Sequence, residues 1–196
     1  MRNWTINAKD IIILAFIVLT AVWRVTISLT GEISAISNFS PLGAMALFGG
    51  VYFSRAKGFA FPLLTLWISD IFMNRFVFYG EWKLFYEGFY WTYGAFALMV
   101  LVGKWMQSNK SVGRFIGSSL LIVLIHWIVT DIGVWLGNST YPQTIEGFWM
   151  CLLAAIPFER NLLVGTIVYG SVLFGVFEWL KYKWPALQTS HAKVNQ

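Results

Sequence analysis

The chain has 196 residues, of which 58% are hydrophobic and 12% charged, with a formal net charge of +5 and a mean hydropathy of +0.65. A soluble domain carries roughly 25% charged residues, so this composition excludes an ordinary soluble fold and points to a membrane protein. The basic residues sit between apolar runs rather than on one soluble face, so the positive charge speaks for membrane orientation and against nucleic acid. A single cysteine, Cys151, excludes an intramolecular disulfide and a cysteine-rich metal site.

Residues 1–10 are polar and basic, with Arg2 and Lys9. Residues 11–29 predict a first span interrupted by Arg24. No small-residue cleavage site follows, so the run reads as a span and not as a signal peptide. The loop 30–38 carries Glu32 and no basic residue. Residues 39–53 predict a short second span, opened by Asn38-Phe39-Ser40-Pro41. Ser40 suits an N-cap, and Pro41 is tolerated in a first turn whose N–H groups lack partners. Gly43, Ala44, Ala46, Gly49 and Gly50 then offer close helix packing. The bland reading is a helix start and packing face; the functional one adds a ligand held at the helix N-terminus.

After a turn at Arg55 and Lys57, residues 58–74 predict a third span, with Pro62 near its start and Asp70 and Asn74 near its end. An aromatic loop leads to the fourth span, 89–106, which begins in Tyr90, Trp91 and Tyr93, residues suited to a membrane interface. The fifth span, 115–136, holds His126 and Asp131. Residues 147–158 are apolar but too short to cross alone, and predict a re-entrant or interfacial helix ended by Pro157. Glu159-Arg160-Asn161 then reads as the start of the sixth span, 160–180, with Glu159 at the positive end of the helix dipole. The expectation is one all-α membrane domain over 1–196, a six-helix bundle.

With the N-terminus inside, the inner segments hold Arg2, Lys9, Arg55, Lys57, Lys104, Lys110, Arg114, Lys181, Lys183 and Lys193, while the outer loops hold Arg75 and Lys83. This asymmetry predicts a plasma (inner) membrane protein with both termini cytoplasmic. Arg24, Asn38, Asp70, Asn74, Asp131, Glu159, Arg160 and Asn161 then fall in the outer half of the bundle, with His126 deeper. Ionisable groups in a bilayer are costly and mark function. Aromatic walls around a few polar groups, with Trp67, Trp127, Trp135 and Trp149 close by in sequence, suit a small-molecule pocket.

Each residue also has a structural reading. Arg24 can snorkel to headgroups, Asp70 can pair with Arg24 or Arg160, and His126 can be a satisfied bundle histidine. Gly113-x-x-x-Gly117 and Ala46-x-x-x-Gly50 are weak packing signals. No catalytic residue, metal site or cofactor is assigned, and no phosphate-binding G-x-x-x-x-G-K-[ST] occurs.

The run Asn38 to Gly50, the pair Ser69-Asp70 after Pro62, Thr130-Asp131-Ile132-Gly133-Val134-Trp135 with Tyr141-Pro142-x-Thr144, and Ala154-Ala155-Ile156-Pro157-Phe158 with Asn161 resemble an uncharacterised family of small bacterial proteins ascribed to transport. That family is similar to the substrate-binding (S) components of energy-coupling-factor (ECF) vitamin transporters. The resemblance implies six helices, an outward-facing pocket, and docking on a T component driven by two cytoplasmic ATPases. It departs at Asp131, where relatives usually carry Asn. Nor does Cys151 match the cobalt-ligating cysteine of the cobalamin-binding branch. The leading expectation is therefore a non-enzymatic membrane protein that captures a vitamin-like molecule from outside. The alternatives are an intramembrane enzyme acting on a lipid or prenyl substrate, with Asp70 and Asp131 holding a metal–diphosphate pair, or a structural envelope protein.

Overall fold

The structure, a computed structural model, describes residues 18–20, 22–27, 29, 36–53 and 55–183. The basic head, about half of the first span, Glu32 and Lys193 lie outside the described residues. Within them the secondary structure is helical, with no strand. Helix α1 is Leu42–Tyr52, α2 is Arg55–Met73 and continues into a π-helical turn Asn74–Phe78, α3 is Phe89–Met106, α4 is Val112–Gly137 and α5 is Ile145–Lys183. Three stretches are long and apolar enough to cross a membrane: Ala56–Phe78, Val112–Gly137 and Ile145–Lys183.

The short helix α1 is the axis of the bundle. All 11 of its residues are buried, and α2, α3, α4 and α5 all pack on it. At 1.5 Å per residue it is about 16 Å long, half the roughly 30 Å of a hydrocarbon core. It can be that short because protein, not lipid, surrounds it. Its small residues set the approach of its neighbours. A Cβ on Gly49 would fall 2.7 Å from the Gly58 carbonyl oxygen of α2, and one on Gly103 of α3 would fall 3.0 Å from Leu47 Cα. The Ala46/Gly50 spacing is thus a true packing face. Gly113 and Gly117 are not, since added Cβ atoms there would meet nothing within 4 Å. Ser40 does not cap α1: the cap position is Pro41, without a side-chain bond. A tight turn leads into the helix, with Phe39 N–H donating to Ile36 O and Ser40 N–H to Asn38 O. Asn38 adopts φ 66° within it, a conformation that asparagine tolerates.

Contacts along the helices fix their directions. Residues near Asn161 of α5 meet Ser37, Gly165 meets Ser40, and Glu178 meets Tyr52. The C-terminal half of α5 therefore runs parallel to α1, as does α3. Helices α2 and α4 run the other way, as shown by Gly49 against Gly58 and by His126 against Glu159. Among the described residues, one end of the bundle gathers Lys104, Lys110 and Lys181. Lys110 and Lys181 lie over the Tyr52 ring, Lys104 over Phe59, and Tyr52 donates a hydrogen bond to Glu178. The N-terminus of α1 lies part-way down the bundle from the opposite end, beneath the C-terminal half of α4 and the N-terminal part of α5.

Two expectations need correction. Residues 147–158 are not a separate re-entrant helix, and Glu159–Asn161 is not a helix start. Both belong to α5, a continuous helix of 39 residues with Pro157 inside it. Its length, about 58 Å, lets the first part pack along α4 and the rest along α1. Pro157 removes one N–H, yet its ring is exposed, and the packing of both halves keeps the helix continuous. Pro157→Ala restores that donor, and since proline in a helix interior costs about 3 kcal/mol, the variant is expected to melt at or above the wild-type temperature in detergent. A clear fall in melting temperature would show that the proline shapes the helix.

Candidate ligand site

A cavity of about 140 Å³ lies at the N-terminal end of α1. Its floor is the Ser37–Ser40 turn with Leu42. Its walls bring Arg24 from the N-terminal helical stretch, Leu66 and Met73 from α2, Thr92 and Phe96 from α3, His126 from α4 and Leu162 from α5. The lining is largely apolar, with Arg24, Asn38, Ser40, Thr92 and His126 as its main polar groups, the pattern of small-ligand pockets.

Two buried polar clusters each reach the cavity through one residue, Arg24 and His126. In the first, Arg24 Nη1 donates to Asp70 Oδ1 at 2.8 Å and also to Ser69 Oγ. Tyr93 Oη donates to the other Asp70 oxygen at 3.2 Å. Ser69 in turn donates to Leu66 O at 2.8 Å. Arg24 therefore pairs inward across the bundle and does not reach for headgroups, because Asp70, 5% exposed, offers a partner where an unpaired carboxylate would be costly. The loop 79–88 folds over this end of α2: Asn74 donates to Lys83 O at 2.9 Å and Trp67 to Leu84 O at 3.1 Å. Within it, burial pushes the Tyr86 phenol up to about 12, with the Asp70 charge adding to the effect.

In the second cluster, His126 Nδ1 lies 2.8 Å from Glu159 Oε1, and Phe96 stands edge-on to the imidazole at 5.8 Å between centroids. Further along α4, Asp131 is 6% exposed, its Oδ2 has no hydrogen-bond partner, and its carbonyl oxygen lies 3.8 Å from Cys151 Sγ. Among the described residues no three His, Cys, Asp or Glu side chains are grouped to hold a metal ion.

Of the residues expected from sequence, Arg24, Asn38 and His126 line the cavity, Asp70 and Glu159 stand behind them as partners of Arg24 and His126, and Asp131 is buried on α4 opposite Cys151. Asn161 supports the floor by donating to Ser37 O at 3.0 Å. Asn74 and Trp135 are structural: Asn74 ties the 79–88 loop, and Trp135 Nε1 donates to Pro142 O at 2.8 Å, fixing the 138–144 loop. Arg160 is exposed and drops out of the site; one step round α5 from Glu159, it points away from α4. Ser69, Thr92, Tyr93 and Phe96 were not foreseen. Tyr93 turns its hydroxyl to Asp70, and the signal for it was a phenol hydroxyl four residues into an apolar span, which needs a partner.

The fold and site together define a helical, membrane-type protein with a small interior cavity backed by a buried Arg24–Asp70 ion pair and a His126–Glu159 hydrogen bond. The chain belongs to a family of unknown function, DUF6580, whose model matches residues 5–187. Neither the curated proteins nor the solved structures include a match.

Proposed function

We propose that this chain is an integral membrane binding protein that captures a small molecule at the end of the bundle opposite its basic residues and passes it inward. The observation that carries this reading is the cavity at the α1 N-terminus, where Arg24, Asn38, Ser40, Thr92 and His126 converge among apolar walls. Helix N-termini attract acceptor and anionic groups, and Arg24 adds donors at the same place. The one-sided basic residues support an orientation with the basic end cytoplasmic and the cavity end outward. The sequence resemblance to ECF S components supports a six-span bundle of that type, with a vitamin-like ligand and an energising T component with two ATPases as partners. A volume of about 140 Å³ is below the roughly 300–1,000 Å³ of pockets for drug-sized ligands. Either the ligand is a small polar molecule or the site widens to admit it.

The test is to purify the full chain in detergent, denature it and identify any released small molecule by mass spectrometry. One compound released in near-stoichiometric amount, and lost from an Asn38→Ala, Thr92→Val variant of unchanged melting temperature, is the expected result. Purified protein that carries nothing and is not stabilised by any of a panel of vitamins and their precursors would overturn the reading.

A further inference from the structure

We infer that the cavity takes a small uncharged molecule, one that binds through hydroxyl, amide or carbonyl groups and carries neither a carboxylate nor an ammonium. The inference rests on the ligand capture proposed above and narrows its ligand class. Among the described residues, Arg24 is the one lining side chain with a permanent charge. That charge is already met from behind the wall. Asp70 Oδ1 lies 2.8 Å from Arg24 Nη1, and Asp70, 5% exposed, does not line the cavity. The His126 ring repeats the arrangement. Its Nδ1 lies 2.8 Å from Glu159 Oε1, and Glu159 also stands outside the lining. With Nδ1 held there, Nε2 is the ring nitrogen left for a ligand.

An anion entering this space must give up its hydration and meets a guanidinium whose charge Asp70 has cancelled. A cation fares no better, since no carboxyl group is among the described lining residues. An uncharged molecule gives up only hydrogen bonds, and the lining returns them. Asn38 brings an amide and Ser40 a hydroxyl, each both donor and acceptor. A ligand hydroxyl can pair with His126 Nε2 in either sense. Leu42, Leu66 and Phe96 complete the walls and suit a carbon skeleton. The acceptors that the α1 N-terminus and Arg24 attract are therefore carbonyl or hydroxyl oxygens.

A thiol placed in the cavity reads this selectivity without a known ligand. Ser40→Cys is made in the full chain, purified in detergent and labelled with hydroxyethyl, sulfonatoethyl or trimethylammonioethyl methanethiosulfonate, which are uncharged, anionic and cationic. Peptide mass spectrometry separates the introduced thiol from the buried Cys151, and each rate is divided by that of mercaptoethanol with the same reagent. The uncharged reagent should label about tenfold faster than either ion, because an ion must leave water without compensation. Adding Asp70→Asn uncovers the Arg24 charge and should raise the sulfonate rate alone. A sulfonate or ammonium reagent that labels as fast as the uncharged one overturns the proposal. So does a thiol that no reagent reaches, and so does a sulfonate rate unchanged in folded Asp70→Asn protein. Should that variant not fold, the order of rates in the Ser40→Cys chain decides. A released compound that proves to be an ion would defeat this ligand class and leave capture standing, while the labelling order can hold where no compound is released.

Discussion

Gly50→Val is expected to eliminate folded protein. A Cβ at position 50 would strike the Val100 carbonyl oxygen and fall 2.7 Å from the Lys104 nitrogen and 2.8 Å from the Gly103 carbonyl carbon. All of these are backbone atoms of α3, which no side-chain rotation can move. Overpacking in a core that can adjust costs about 1–3 kcal/mol. Here the axial helix would have to separate from α3, and the cost should lie at or above the top of that range. It would also disturb the floor of the cavity, because the same helix carries Leu42 and follows directly on the Ser37–Ser40 turn. Gly117→Ala is the matching control. It meets open space, and alanine gains about 1 kcal/mol of helix propensity over glycine. Size-exclusion profiles of fluorescent fusions in detergent, followed by melting curves, would check both. A monodisperse, wild-type-like Gly50→Val protein would mean that the α1–α3 crossing is wrong.

Arg24→Ala and Asp70→Ala are each expected to destabilise the protein by about 3–5 kcal/mol, the usual cost of leaving one member of a buried ion pair behind. The double variant Arg24→Met, Asp70→Leu should lose far less than the sum, because it removes both charges and refills the space. Asp70→Ala strands the guanidinium beside Ser69, and Arg24→Ala leaves the carboxylate with Tyr93 Oη as its remaining side-chain donor. A melting-temperature cycle over the four proteins measures the coupling. Additive losses would mean that the pair does not form and that Arg24 faces the lipid.

Several features of the fold were legible in the residues. The hydrophobic load demanded long apolar helices, and among the described residues Lys104, Lys110 and Lys181 do meet at one end of the bundle. Bilayer cost singled out Arg24, Asp70, His126, Asp131 and Glu159, all of which proved to be interior. Small residues at 43–50 marked the helix that every neighbour touches. The same kind of spacing at Gly113 and Gly117 marked nothing, because small residues permit close approach without causing it.

What the sequence by itself determined is therefore the class of protein, the helical content and the set of charges that had to be sheltered. Only the tertiary structure decided which partner each charge took: Asp70 chose Arg24, 46 residues away, and Glu159 chose His126 while Arg160 faced outward. It also decided that α5 passes through Pro157 unbroken. The reason is that these helices are apolar on nearly every side. Lipid and protein interior are equally apolar neighbours, so periodicity cannot say which face turns inward, and only the close fit of backbones around α1 settles it.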